Sequence, residues 1–306
     1  MVVMEKARLR TLLSYVGRPL WVMFAFDVAV AEAYVLLGWK WLALPDIPLA
    51  IFGGVIGVIA GFRNASAYAR WWEARTAWGG VVNHSRSFAR EVLAMIAPGE
   101  TGHATAGEAS EVKRNLVRLQ IAFVHALHHR LRGTEPWNDL AGAISEEELD
   151  RLRGRDNLPL AIQQRIASLI SICYQWGWID NTRWVRLDLT LGSLTDYQGA
   201  CERIKYTPLP RVYDLFIRLF MTIFCVLLPL GMVQSLKLLT PIGSTFVAFI
   251  FFTLDRIGRD LEKPFENLPH DVALTAISRS VEIDLKQMAG EHDVPVPVTA
   301  VDGVLW

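Results

Sequence analysis

Four apolar segments, arranged as two pairs, constrain the fold of this chain more than any other feature. They cover residues 20–39, 48–62, 215–233 and 242–254. A helix needs roughly 20 apolar residues to cross ~30 Å of hydrocarbon, so the first and third segments can span a bilayer. The second is shorter, but a helix can continue from it to Trp72 without meeting a proline. Each pair therefore predicts a hairpin of two membrane helices.

Basic residues near these segments predict how the hairpins are oriented. They cluster at the open ends of both hairpins, at Lys6, Arg8, Arg10, Arg18, Arg63, Arg70, Arg75, Arg211, Arg218, Arg256, Arg259 and Lys263. The two hairpin tips hold only Lys40 and Lys237. Because the cytoplasmic flanks of membrane helices carry the excess of Lys and Arg, both termini and the long middle segment are predicted to be cytoplasmic.

This organisation divides the chain into five parts. A cytosolic N-terminal segment covers residues 1–18, and the first transmembrane hairpin covers 19–72. A helical cytosolic domain covers 73–210, the second transmembrane hairpin 211–256, and a cytosolic C-terminal helix and tail 257–306. The predicted fold is an all-α integral membrane protein with four transmembrane helices in two hairpins and a helical cytosolic domain.

The middle segment has the pattern of packed helices. Apolar residues recur at helical spacing along one stretch, at Val112, Leu116, Leu119, Phe123, Leu127 and Leu131. Gly133 ends this stretch, and Ser145 followed by three glutamates is typical of a helix N-terminus. The glycine-containing stretch 98–109 predicts a flexible connection. No segment longer than a few residues alternates as a strand would, which favours an all-helical domain.

Composition excludes several classes of function. The chain has 31 basic and 31 acidic residues, so nothing favours broad binding of nucleic-acid phosphates. Its three cysteines, Cys173, Cys201 and Cys225, are far apart and predict neither disulfides nor a cysteine zinc site. Neither a G-x-x-x-x-G-K-[ST] loop nor a G-x-S-x-G turn occurs, so no enzyme activity and no cofactor are predicted.

Two stripes of residues follow the second apolar segment. The first consists of glycines at every fourth residue: Gly53, Gly57 and Gly61. The second lies beside it: Gly54, Val58 and Phe62. A small-residue stripe lets another helix approach closely, and most such stripes only pack helices. If the glycines pack in this way, the second stripe could line a narrow apolar passage through an oligomer, and spacing does not decide between the two interpretations.

Acidic residues within the first apolar segment have two interpretations. Asp27 and Glu32 lie at predicted membrane depth, where a charge costs roughly 2.5 kcal/mol or more on insertion scales. Such residues face protein or water, and they mark either a functional site or a pairing with another helix, for instance through an arginine.

Three histidines stand close together on the helix predicted between 111 and 131. His125, His128 and His129 form H-x-x-H-H, which places His125 and His129 on one face. This spacing can hold zinc, but no third ligand is apparent and H-E-x-x-H is absent. A surface or buried histidine cluster without metal is the favoured interpretation. The basic run Arg151, Arg153 and Arg155 is interpreted as a solvated face.

The segment GFRNASAYARWWEARTAWGG, residues 61–80, resembles the signature of bestrophins at the transition from membrane to cytosol. Three further features strengthen the resemblance, one of which is the proline, Pro229, within the third apolar segment. The other two are short stretches. One is ACERI at 200–204, followed by TPLP at 207–210, and the other is EKPF at 262–265 with Asp271 beyond it. The order and separation of these motifs make the resemblance specific, and it covers roughly residues 15–288.

The resemblance implies a homopentameric ion channel with a single pore on the fivefold axis. Apolar residues of the second helix line the neck of bestrophin pores, and the matching residues are Gly54, Val58 and Phe62. Gly54 replaces a bulky residue, which implies a wider outer end. A cytosolic aperture is implied at Thr182, near Asp180 and Asn181, with a hydroxyl in place of the usual aliphatic side chain.

The resemblance also implies which ions the channel conducts and which partners the chain has. It implies passage of small monovalent ions, chloride in most members, through the inner membrane of a bacterium, with copies of the chain and the bilayer as partners. A sodium-conducting channel is an alternative, because Arg63 favours anions whereas Asp180 favours cations. Non-conducting alternatives are a membrane scaffold or signalling protein and a membrane enzyme. The carboxylates after Phe265 are too few for calcium gating, and no metal is implied.

Overall fold

The computed structural model describes residues 9–44, 48–98 and 106–306, and every regular element in these ranges is a helix. The α-helices are α1 (Leu9–Val16), α2 (Arg18–Val35), α3 (Leu49–Met95), α4 (Ala106–Arg132), α5 (Trp137–Ala141), α6 (Glu146–Leu152), α7 (Leu158–Gln175), α8 (Asn181–Tyr206), α9 (Arg211–Leu236), α10 (Thr240–Glu262) and α11 (Leu274–Met288), and short 3-10 helices cover Lys40–Leu42 and Lys237–Leu239. Much of the connection predicted at 98–109 lies outside the described residues, as do residues 1–8 of the predicted N-terminal segment.

The chain divides into two compact units. The apolar unit contains the described residues up to 71 together with 208–263, and the polar unit contains 72–207 and 264–306. The predicted apolar segments lie on α2, α3, α9 and α10. α3 is a single helix of 47 residues that contributes to both units, and it is longer than the apolar pattern alone predicts.

The apolar unit is built around α10, which packs against both α2 and α9. Its core consists of Met23, Ala60, Ile217, Met221, Phe224, Cys225, Leu228, Ala248 and Phe251. The rings of Phe224 and Phe251 meet edge to face with their centroids 5.1 Å apart, an arrangement that the aromatic quadrupole favours. Two parts of the described chain are long and apolar enough to cross a membrane: α3, and Asp214–Glu262 with α9 and α10.

The polar unit is organised around α4. The residues predicted for its apolar face from Leu116 to Leu131 are fully buried, and Val112 packs partly buried against the same core. Ile121, Ala122 and Val124 on other sides of α4 are buried as well, because α7, α8 and α11 surround the helix. A helix that is apolar on all sides is typical of the interior of a bundle.

Two predicted helix ends in the polar unit are confirmed. Gly133 follows α4 with φ of 67°, a left-handed conformation that suits glycine and ends the helix. Ser145 is the N-cap of α6, where its hydroxyl accepts a hydrogen bond from the backbone N–H of Glu148. The three glutamates of the first turn of α6 lie where the helix dipole favours negative charge.

Candidate pore-lining residues and polar clusters

One side of α3 is left uncovered by the rest of its own chain. Only 11% of the residues in the apolar part of the helix are buried. Val58 is 59% exposed and Phe62 is 66% exposed, and the space next to the Cα of Gly54 is open. The stripe predicted for the neck is therefore a continuous surface of the folded chain, free to contact lipid or another molecule.

The neighbouring glycine stripe packs against the chain only at its beginning. A Cβ atom on Gly53 would lie 2.9 Å from the ring of Phe224 on α9, so glycine is needed for this close approach. The space beside Gly57 and Gly61 is open. Ala60 instead makes the next contact, since it is buried in the core of the apolar unit. The glycines therefore do not act as one packing stripe within the chain.

Arg63 does not present its charge to the uncovered side of α3. Its side chain is 2% exposed, and its guanidinium binds Asp214 on α9 and Asp255 on α10, the second pair at 2.9 Å. Asp214 also pairs with Arg218, and Asp255 with Arg259. The expectation that Arg63 attracts anions at the neck is wrong for this geometry, because its buried guanidinium is paired with two carboxylates.

The predicted aperture residues lie at the first turn of α8. Asp180 is the N-cap, and its side chain accepts a hydrogen bond from the backbone N–H of Arg183 at 2.8 Å. The same carboxylate pairs with the guanidinium of Arg183 at 3.4 Å. Asn181 and Thr182 are exposed. Thr182 begins an exposed stripe at helical spacing that continues through Val185 and Leu189.

Asp27 and Glu32 have different surroundings. Asp27 is completely buried, and one of its carboxylate oxygens accepts a hydrogen bond from the hydroxyl of Thr245 on α10 at 2.8 Å. The other oxygen has no partner among the described residues. Glu32 is exposed. Asp27 thus links α2 to another helix, which is the second of the two interpretations given above. The link is a hydrogen bond from a hydroxyl rather than an ion pair with an arginine.

The histidine cluster has a neighbour that the sequence pattern did not indicate. His125, His128 and Asp139 place one potential metal-binding atom each within 4.8 Å of one another. The structure thus brings His125 and His128 together, whereas the sequence pattern indicated His125 and His129 as the pair on one face. Burial lowers the pKa of His128 to about 3, and a hydrogen bond from His129 lowers the pKa of Asp139 to about 2. At neutral pH this is a neutral imidazole beside a carboxylate.

The acidic residues after Phe265 each make a contact within the chain. Glu266 pairs with Lys205 at 2.9 Å. Asp271 is buried and accepts a hydrogen bond from the backbone N–H of Leu268 at 3.0 Å. Burial raises the pKa of Asp271. Asp271 thus closes the turn between α10 and α11.

Comparisons with known proteins agree with the motifs. A family model described as Bacterial/Fungal Bestrophin protein matches residues 8–287. The chain is 34% identical over 248 residues to the voltage-dependent anion channel-forming protein RSc3414 of Ralstonia nicotianae, a match covering 81% of this chain and 78% of that protein. It is 32% identical over 291 residues to the voltage-dependent anion channel-forming protein YneE of Escherichia coli K12, covering 94% and 91%.

The fold is similar to that of a solved structure. The crystal structure of a bacterial bestrophin homologue from Klebsiella pneumoniae, determined by Zn-SAD phasing, matches with a TM-score of 0.78 and 29% identity. The match covers 92% of this chain and 98% of that chain. These relationships confirm the resemblance that the motifs indicate: the chain belongs to the bacterial and fungal bestrophin family.

Proposed function

We propose that the chain forms a homopentameric channel that conducts small monovalent anions, chloride in particular, across the inner membrane of a bacterium. In this proposal α2 and α3 form one transmembrane hairpin and α9 and α10 form the other, with the polar unit and both termini in the cytoplasm. The protein acts as a passive pore and catalyses no reaction.

The uncovered side of α3 is the observation that carries the proposal. One side of this helix packs on its own chain through Gly53 and Ala60, whereas Val58 and Phe62 project away from that chain. In a ring of five copies, Gly54, Val58 and Phe62 would surround the axis as an apolar neck. Since Gly54 has no side chain, the outer end of this neck would be the widest part.

The cytosolic aperture is proposed at the first turn of α8. Thr182 would form the ring, with Asp180 and Asn181 beside it. The Asp180 carboxylate is engaged by Arg183 and by the helix N-terminus, so its charge is largely balanced. A ring of hydroxyls replaces ion hydration without a strong preference for either sign of charge.

Selectivity for anions is supported by the curated relatives and not opposed by the charges near the pore. The relatives from Ralstonia nicotianae and Escherichia coli are named voltage-dependent anion channel-forming proteins. Arg63 is buried and balanced by carboxylates, so it neither attracts nor repels a passing ion by contact. An apolar ring offers no ligand to an ion, and it must be wide enough for hydrated ions or close by dewetting.

The oligomeric state and the permeating ion can be measured on the whole chain. Light scattering of the purified protein in detergent should give five times the subunit mass of 34.4 kDa. In planar bilayers with unequal NaCl concentrations, the current should reverse near the equilibrium potential of chloride. Reversal near that of sodium would support the cation-channel alternative. Single subunits without ion flux would support a scaffold or signalling protein instead.

The neck is tested by truncating its side chains. Val58→Ala and Phe62→Ala should raise conductance or open probability, and each 1.4 kcal/mol removed from the barrier raises the rate of passage about tenfold. Val22→Ala on α2 and Phe246→Ala on α10 are matched controls, because these residues are similarly exposed but lie on other helices. Unchanged currents in both neck variants, or equal changes in the controls, would contradict the assignment.

A further inference from the structure

A cluster of metal-ligating side chains lies in the polar unit, apart from the residues proposed for the pore. His125 and His128 are one turn apart on α4, so their rings lie on the same side of the helix. The short helix α5 brings Asp139 to this side. One donor atom from each of the three residues lies within 4.8 Å of the others, and the Nδ1 of His125 is 3.7 Å from a carboxylate oxygen of Asp139.

Both histidines carry a buried nitrogen with no partner among the described residues. His125 is 3% exposed and His128 is 4% exposed, and the unpartnered atom is Nδ1 in each case. Buried polar atoms in folded proteins nearly always have a hydrogen-bond partner, because leaving one unpaired costs about 1–3 kcal/mol. Two such nitrogens on neighbouring rings, that of His125 facing the carboxylate of Asp139, indicate a ligand at this cluster.

Glu282 on α11 fixes the orientation of His125. A carboxylate oxygen of Glu282 lies 3.0 Å from Nε2 of His125, and as an acceptor-only group it takes a hydrogen bond from the protonated Nε2. The lone pair is therefore left on Nδ1, which faces Asp139. Arg279 and Lys286 hold Glu282 in place at 2.6 and 3.1 Å. A carboxylate that orients a histidine through its second nitrogen is the usual support of a metal-binding imidazole.

We propose that His125, His128 and Asp139 bind one divalent transition-metal ion, for which zinc is the best match. Two imidazole nitrogens and one carboxylate oxygen suit zinc, whereas calcium and magnesium prefer oxygen ligands alone. Zinc lies about 2.0–2.2 Å from such ligands, so the three donor atoms would draw together around the ion on binding. Asp139 is 35% exposed and gives the ion access from solvent, and water completes the coordination.

This site would stabilise the polar unit. The ion would join α4 to α5 directly, and Glu282 would extend the connection to α11 through His125. The carboxylates of Asp139 and Glu282 would balance the two positive charges of the ion. Binding a ligand to the folded state alone stabilises that state, so zinc should raise the melting temperature of the protein.

The experiment uses the whole chain in detergent after dialysis against a chelator. Titration with ZnCl2, followed by calorimetry, should give one ion per chain, and Co²⁺ should produce the visible absorption of a four-coordinate site. His128→Asn and Asp139→Asn should each weaken zinc binding at least tenfold. Glu282→Gln, which removes the orienting carboxylate, should weaken it about 10–100-fold. His292→Asn, at an exposed histidine of the same unit, should leave it unchanged.

Two results would overturn the proposal. One is the absence of zinc binding and of cobalt absorption in the unmodified protein, a result that does not depend on any variant folding. The other is an unchanged zinc affinity in both His128→Asn and Asp139→Asn, with oligomeric state and circular dichroism as checks of folding. Neither result affects the proposed channel, because ion conduction is measured separately.

Discussion

Replacing Arg63 by glutamine tests whether the ion pairs of this buried arginine hold α3 in place. The guanidinium bridges Asp214 on α9 and Asp255 on α10, and it is almost completely buried. Gly258 on α10 provides room for Asn64 and Arg63 together, since a Cβ atom there would clash with the side chain of Asn64 and lie 3.2 Å from the guanidinium. Glutamine keeps much of the aliphatic stem but cannot neutralise either carboxylate. The expected result is a large loss of stability in the apolar unit.

The size of this loss follows from the partners that remain. Removing one member of a buried ion pair costs about 3–5 kcal/mol. Asp255 keeps Arg259 at 2.9 Å and Asp214 keeps Arg218, so neither carboxylate is left alone. We therefore expect the lower limit, about 3 kcal/mol. At roughly 2–4 °C per kcal/mol, the melting temperature should fall by roughly 6–12 °C.

The assay is thermal unfolding in detergent, followed by the fluorescence of the 11 tryptophans. The control is Arg86→Gln, also on α3, where the ion pair with Asp284 at 2.6 Å is partly exposed and should contribute only about 0–1 kcal/mol. Adding Asp255→Asn to Arg63→Gln should cost less than the sum of the two single changes, because both remove the same interaction. Equal melting temperatures for Arg63→Gln and Arg86→Gln would refute the reasoning.

Two further predictions concern the polar unit. Gly80→Ala would place a methyl group against the ring of Tyr197 and should cost about 1–3 kcal/mol of stability. In Gly79→Ala the methyl group enters open space, and the change should stabilise the helix by up to about 1 kcal/mol. Denaturant unfolding measures both effects, and equal effects would contradict the close packing of Gly80 against Tyr197. Burial raises the pKa of Asp271 above 3.8, so unfolding releases its proton and stability falls as pH rises above that value. The melting temperature of Asp271→Asn, relative to that of the unmodified protein, should therefore be higher at pH 7 than at pH 4. An identical pH dependence of the two melting temperatures would contradict this.

Much of the fold could be predicted because local signals agree with the final packing. Apolar length predicted the regions of α2, α3, α9 and α10, and helical spacing together with Gly133 predicted α4. The full extent of α3 was not predictable in this way. Its apolar pattern ends near Arg63, and Gly79 and Gly80 disfavour a helix interior. The structure shows why Gly80 is used there: the ring of Tyr197 lies where a side chain would be.

The polar clusters were less predictable because their members are far apart in sequence. Asp255 follows Arg63 by 192 residues, so spacing along the chain contains no sign of the pair. Asp139 follows His129 by 10 residues, across a turn whose geometry no histidine motif describes. The acidic residues near the ends of the third and fourth apolar segments were the sequence signal that could have indicated ion-pair partners for Arg63. A buried arginine needs such partners, because an unpaired charge in a protein interior is costly.

The uncovered apolar residues of α8 give independent support for assembly into an oligomer. Val185 and Leu189 belong to the polar unit, where lipid would not cover them if that unit is cytoplasmic. They follow Thr182 on one side of the helix, while Leu187 and Leu191 on the other side are buried in the chain's own core. Contiguous apolar surface on a water-exposed unit usually marks a contact with another protein. In a ring of copies, neighbouring chains would shield Val185 and Leu189 from bulk water, whereas Val58 and Phe62 at the proposed neck would face the pore. Five-copy assembly therefore predicts that the cysteine of Leu189→Cys reacts more slowly with a water-soluble thiol reagent in the oligomer than in a single subunit, and equal rates would count against it.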